Sequence, residues 1–406
     1  MKNFKKLSAL VLAGAMIFSL AACGGGSAET PAPEGTTPAE TTPAETTPAS
    51  SYKVAMITDY GDITDQSFNQ TTYEACQEFC TENNLEFTYY KPNGDSTAER
   101  VAMVDAAVAD GYNVVVMPGY AFAETIKQTA EMYPNVSFIA LDVGEADLNP
   151  TDENGELLGE YYEVPANVYC AVYQEELCGY MAGYAAVKLG YTHLGFLGGM
   201  AVPAVQRYGY GFVQGASAAA AELGNEDSVT VEYVYGNQFN GDADITAYMD
   251  NWYQTLGVEV VFACGGGIYT SAAEAAAKVD GKVIGVDVDQ AAIIDTAYGE
   301  GMTVTSAMKG LANTTKHLLQ ETVDGNFSNY GGKIETLGLV SGDDPTANYV
   351  QLPIESTQWS DSFTQEDYNT LVAGMFDGTI TVSNDVTVEP DAVVSNITVN
   401  SYGNIK

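Results

Sequence analysis

From Lys53 onward the chain alternates short apolar runs with amphipathic stretches, and this alternation limits the available folds more than any other feature. Lys53–Thr58 (KVAMIT), Glu86–Tyr90, Asn113–Met117 (NVVVM) and Val136–Leu141 read as strands. Gln66–Asn83, Ser96–Ala109 and Ala121–Met132 read as the helices between them, and Ser96 with Glu99 three residues later is a capping signal. An acidic stretch, Asn149–Val164, and a helix over Gln174–Leu189 follow. The alternation then restarts with strands His193–Leu197, Val229–Tyr235, Val258–Ala263 and Val283–Val286, separated by helices Val205–Leu223, Asp244–Leu256 and Tyr269–Val279. Nearly continuous apolar strands between helices mean parallel sheets covered on both faces. Because the pattern runs twice, with a break near residues 143–173, the expected fold is α/β: two doubly wound parallel-sheet lobes joined by a hinge.

Charge narrows the partners. The chain carries 54 acidic and 15 basic side chains, a formal net charge of −39. Such a field repels phosphate backbones, so nucleic acid is not an expected partner. Two histidines, His193 and His317, leave little material for a histidine metal site, and no Cys-x-x-Cys pair is present. No metal and no cofactor are expected. Cys76, Cys80, Cys170, Cys178 and Cys264 read as small buried apolar residues, although the four-residue spacing of Cys76 and Cys80 leaves a disulfide possible.

The N-terminus has its own logic. Lys2, Lys5 and Lys6 precede an apolar run from Leu7 to Ala22, too short for a spanning helix and suited to a secretory signal over residues 1–22. Leu20-Ala21-Ala22-Cys23, followed by three glycines, resembles a bacterial lipobox. That resemblance implies cleavage before Cys23 and lipid on its thiol. Residues 23–50 then change composition, with a Thr-Thr-Pro-Ala-Glu unit repeated over 36–50, and have nothing to bury. It reads as a disordered tether that could stretch to roughly 90–100 Å, anchoring the folded body to the extracytoplasmic face of the cell membrane.

In open parallel sheets, ligands bind outside the carboxyl ends of the strands. Those ends carry Asp59, followed by Asp65, Phe68 and Asn69; Asp142; the loop holding Phe239; Gly265 and Gly266; Asp287; and Lys309. Carboxylates, an amide, a lysine, glycines and two phenylalanines suit a ligand with hydroxyls and a flat ring. Asp65 is read as the cap of the helix beginning near Gln66.

KVAMITDYGDITDQSFNQ resembles the opening of the BMP family of ABC-transporter receptors, which includes purine nucleoside receptors. GFLGGMAVPAVQRYGYGFVQG, VVFACGGG, VIGVDVDQ and TSAMKG are similar to its later blocks, in order, over roughly residues 52–340. The resemblance implies a receptor that captures a nucleoside, a purine first, and delivers it to an ABC permease and its ATPase without chemistry. It implies that Phe68 and Phe239 stack on the base and that Asp59 and Asn69 hydrogen-bond it. Asp142, Asp287 and Lys309 would hold the ribose, and Gly265–Gly266 would let backbone approach. It also implies lobe 1 from 51–166 plus about 301–330, and lobe 2 from 167–300 plus about 331–350. Residues 351–406 form an extension, with a helix over Phe363–Phe376 and a strand over Ile380–Val386, that receives no placement.

Alternatives stay open at this stage. Riboflavin or another flat hydroxylated solute fits the same residue types. Ser306-Ala307-Met308-Lys309 fits the S-x-x-K pattern of acyl-serine enzymes, without its companion motifs. Paired carboxylates could serve a nucleoside hydrolase, and a ligand-sensing surface lipoprotein would share every binding feature.

Overall fold

The computed structural model describes residues 52–152 and 154–405. The signal, Cys23 and the tether therefore lie outside the described residues. Thirteen strands are present among them, and they form two sheets. The first half contributes β1 (Lys53–Ile57), β2 (Glu86–Tyr90), β3 (Val114–Pro118), β4 (Ser137–Leu141) and β5 (Val168–Tyr173). The second contributes β6 (His193–Gly198), β7 (Thr230–Tyr235), β8 (Val260–Cys264), β9 (Lys282–Asp287) and β10 (Thr303–Lys309). β11 (Lys333–Leu337), β12 (Val350–Gln351) and β13 (Thr398–Asn404) complete them.

Sheet one runs β11-β5-β4-β3-β1-β2 and sheet two β12-β10-β9-β8-β6-β7-β13. All pairings are parallel except β10 with β12. The central strands are buried along their whole length because helices cover both faces, hence their uninterrupted Val, Ile and Ala runs. The expected two-lobed α/β architecture is what forms.

The chain crosses between lobes three times: after β5, after β10, and between β11 and β12. This corrects the expected boundaries. β5 belongs to sheet one, so the first lobe runs to about residue 173 rather than 166. The run Thr303–Lys309 joins sheet two beside β9, and only the following helix, Leu311–Val323, packs on the first lobe, against helix Phe68–Glu82. β11, expected in the second lobe, pairs with β5 in the first. An apolar run specifies a strand, but its sheet is settled by non-local pairing that no local pattern records.

Helix Glu175–Lys188 packs along helix Pro203–Leu223 against sheet two. Its residues from Glu175 to Val187 are all buried, so it has no polar face. The two backbones meet at glycines: a Cβ on Gly183 would stand 2.0 Å from Phe212 O, and one on Gly215 2.0 Å from Tyr180 O.

The C-terminal segment belongs to lobe two. Helix Gln365–Phe376 forms as expected, started by a reciprocal Thr364–Asp367 capping box, and Phe363 and Tyr368 enter the core. Residues 380–386 are not a strand, contrary to expectation. Their alternating pattern faces solvent on one side, and the backbone is held by the Gln214 side chain at Ser383. The true last strand, β13, lines the β7 edge, where Tyr402 and Asn400 donate to the buried Glu232.

Candidate functional site

A cavity of about 470 Å³ lies between the lobes at the carboxyl ends of the strands. Its wall includes all nine residues proposed from sequence: Asp59, Phe68, Asn69, Asp142, Phe239, Gly265, Gly266, Asp287 and Lys309. The lobes touch across it. Ser67 Oγ donates to Asp287 Oδ2 at 2.5 Å, and Gln290 Nε2 donates to Gln66 O at 3.1 Å.

One end is an ion cluster. Lys309 Nζ, fully buried, lies 2.6 Å from Asp142 Oδ2, 3.4 Å from Glu175 Oε1 and 3.7 Å from Asp287 Oδ1. Burial alone would lower its pKa, but Asp142, Asp287 and Glu175 more than offset that and hold the ammonium above its ordinary value. Arg207 Nε closes the far side on Glu175 Oε2 at 2.7 Å. Burial pushes Asp142 up to about 6 against the pull of Lys309, and its second oxygen, Oδ1, has no hydrogen-bond partner. Asp142 and Asp287 both carry positive φ, 58° and 66°. A strained, left-handed aspartate ending a strand in each lobe is the kind of conformation retained at ligand clamps. The Phe68 ring belongs to this end too, with Lys309 Nζ 4.7 Å from its centroid.

The other end is aromatic. The Phe239 ring rests on bare backbone: a Cβ on Gly199 would come within 2.4 Å of it, and one on Gly265 within 2.9 Å. The glycines thus seat Phe239, which faces Tyr60 at 6.4 Å and 30°. Tyr60 and Tyr120 hydroxyls lie 3.3 Å apart, and both reach Met200 Sδ in the opposite lobe, at 3.3 and 3.7 Å. Asp59 Oδ1 accepts from Gly61 N at 2.6 Å, and burial pushes this carboxyl up to about 6.

Asp65 caps the helix as read from sequence: its carboxylate accepts from the backbone N–H of Ser67, Asn69 and Gln70. It also takes Asn69 Nδ2 at 3.2 Å. That contact fixes the amide's orientation and leaves Asn69 Oδ1, a buried acceptor, without a partner.

Sequence reasoning missed Tyr60, Tyr120, Glu175, Arg207 and Tyr208, whose hydroxyl donates to Asp287 Oδ1 at 3.4 Å. Tyr60 directly follows Asp59, and Tyr120 stands just past the end of the central strand β3. The S-x-x-K pattern dissolves. Ser306 and Lys309 sit three apart on a strand and face opposite sides; Ser306 Oγ accepts from Gln290 N instead. Among the described residues no cluster of His, Cys, Asp and Glu could hold a metal ion, and no helix is long and apolar enough to cross a membrane. All five described cysteines are buried and free, including Cys76 and Cys80.

Comparison with known proteins agrees with this fold. The family model for PnrA-like ABC transporter substrate-binding proteins (Bmp) matches residues 52–352. The ABC transporter nucleoside-binding protein BmpA of Lactococcus lactis is 28% identical over 307 residues, 71% of this chain and 80% of that protein. The CD4+ T-cell-stimulating antigen of Listeria monocytogenes is 26% identical over 301 residues, 70% of this chain and 77% of that protein. A solved ABC transporter solute-binding protein of Aeropyrum pernix shares the fold at TM-score 0.59 and 21% identity, covering 82% of this chain and 88% of that one. With the two lobes, the interlobe cavity and a match across three quarters of its length, the chain belongs to the Bmp family of extracytoplasmic ABC transporter substrate-binding proteins.

Proposed function

We propose that the protein is a lipid-anchored receptor that closes its lobes on a nucleoside, a purine first, and hands it to a membrane permease. The observation that carries this reading is the division of one cavity into an aromatic end and an ionic end. Tyr60 and Phe239 offer faces to a flat base. Asp142 Oδ1, unpartnered beside Lys309 and Asp287, offers a buried acceptor to a sugar hydroxyl. Asp59 and Asn69 flank the base end. Each lobe supplies part of both ends, so the ligand stabilises the closed form by bridging them. The name of the Lactococcus relative, a nucleoside-binding protein, supports the same ligand class.

Asp287→Ala tests the sugar assignment. It removes a hydroxyl acceptor and the anchor of Ser67, and nucleoside affinity is expected to fall about tenfold to hundredfold, the equivalent of about 1–3 kcal/mol. A free base never makes the hydroxyl contact, so its weaker affinity should fall by less, through the lost Ser67 anchor alone. Calorimetric titration of nucleosides and matching bases reads the difference. An equal loss for both would remove the ribose from this end of the cavity, and recovery of cleaved nucleoside would replace the receptor by a hydrolase.

Anchoring is tested separately. Cys23→Ala is expected to abolish incorporation of labelled fatty acid and to leave nucleoside affinity unchanged. Retained labelling would show that another residue carries the lipid.

A further inference from the structure

Resting on the nucleoside reading, we infer that the base end of the cavity selects 6-oxopurine nucleosides, guanosine above inosine, and disfavours adenosine. The argument is an inventory of donors and acceptors. Asn69 presents an acceptor: its Nδ2 is committed to Asp65, and its Oδ1 is buried with no partner. Ionised Asp59 is acceptor-only, and one of its oxygens already takes Gly61 N. Asn69 Oδ1 therefore needs a donor from the base, and Asp59 can accept a second one.

The opposite chemistry stands at Tyr60 and Tyr120. Their hydroxyls can give only one proton to each other, and the remaining neighbour is the Met200 thioether, a weak acceptor. Burial pushes both phenols up, Tyr60 more strongly, so both stay protonated. At least one O–H is thus spent on sulfur and would gain by turning to a carbonyl oxygen. Two acceptors and a donor are the complement of guanine's edge, which offers N1–H, the 2-amino group and O6 in a row. Hypoxanthine keeps N1–H and O6 and lacks the second donor. Adenine reverses the pattern, setting a bare N1 against a carboxylate and an amino group where the hydroxyl needs an acceptor. A site whose buried polar groups are left unpaired rejects the mismatched analogue by far more than one lost contact.

The test is titration of the full chain with guanosine, inosine, adenosine and 2-aminopurine riboside at pH 7.5, a choice of solution pH well above the range in which Asp59 titrates. Guanosine is expected to bind about tenfold tighter than inosine and at least about a hundredfold tighter than adenosine. In the double variant Tyr60→Phe/Tyr120→Phe, which keeps both rings, the gap between guanosine and 2-aminopurine riboside, which lacks the 6-oxygen, should narrow about tenfold. Adenosine binding as tightly as guanosine would overturn this selectivity and leave the nucleoside reading standing. Failure of every nucleoside to bind would overturn both.

Discussion

Replacing Lys309 with methionine is expected to cost the fold about 3–5 kcal/mol near neutral pH, because it strips the cation in direct contact with Asp142 and Asp287 and leaves buried charge unpaired. The loss should depend on pH in a defined direction. Asp142 is already pushed up to about 6 with Lys309 present; without the ammonium its folded pKa rises further above the unfolded value. A carboxyl raised in the folded state contributes stability below its unfolded pKa and loses it as pH climbs through the folded one. The deficit of the variant should therefore be smaller at pH 5 than at pH 8. Denaturant unfolding at the two pH values measures this. A deficit under about 1 kcal/mol at both would place the cluster in a far more solvated setting than the structure gives it.

A second large effect is expected where no charge is involved. Gly183→Ala places a methyl group 2.0 Å from the carbonyl oxygen of Phe212, a backbone atom that cannot rotate away. The helices Glu175–Lys188 and Pro203–Leu223 would have to separate, at an expected cost of about 3 kcal/mol or more. Gly224→Ala is the useful contrast. Gly224 has φ +66° and nothing within 4 Å of an added Cβ, so the cost is only the backbone strain introduced, about 1–2 kcal/mol. Thermal unfolding of the two variants side by side separates close approach from left-handed backbone; equal losses would mean that the helices are not in tight contact.

The sequence was most informative where burial is two-sided. β3 and β8 declare themselves because every residue must be apolar, and the site residues follow from the rule that ligands sit past strand ends. β13 stayed hidden for the opposite reason. Thr398–Asn404 (TVNSYGN) is an edge strand with polar side chains, and its reason to pair is the buried Glu232 of its neighbour, which Asn400 and Tyr402 satisfy. Ile380–Val386 misled because alternation alone does not supply a partner strand. β10 lies in the 301–330 span that the resemblance places in the first lobe, since only its pairing with β9 distinguishes the two. Tyr60 and Tyr120 were legible in principle, being at the ends of strands that had been found. Their pairing through Met200 was not, because it depends on how far the lobes close.

The order of strands in the two sheets has a consequence for how the molecule can be made. Sheet one ends with β11, from residues 333–337, and both edges of sheet two, β12 and β13, come from still later in the chain. Neither lobe is complete when the next one begins, since each waits for segments more than 150 residues downstream of its first strand. Folding one domain at a time from the N-terminus, the usual course for a multidomain chain, is closed to it. Both sheets close through strands far apart in sequence, with the slow loop closures that non-local pairing requires.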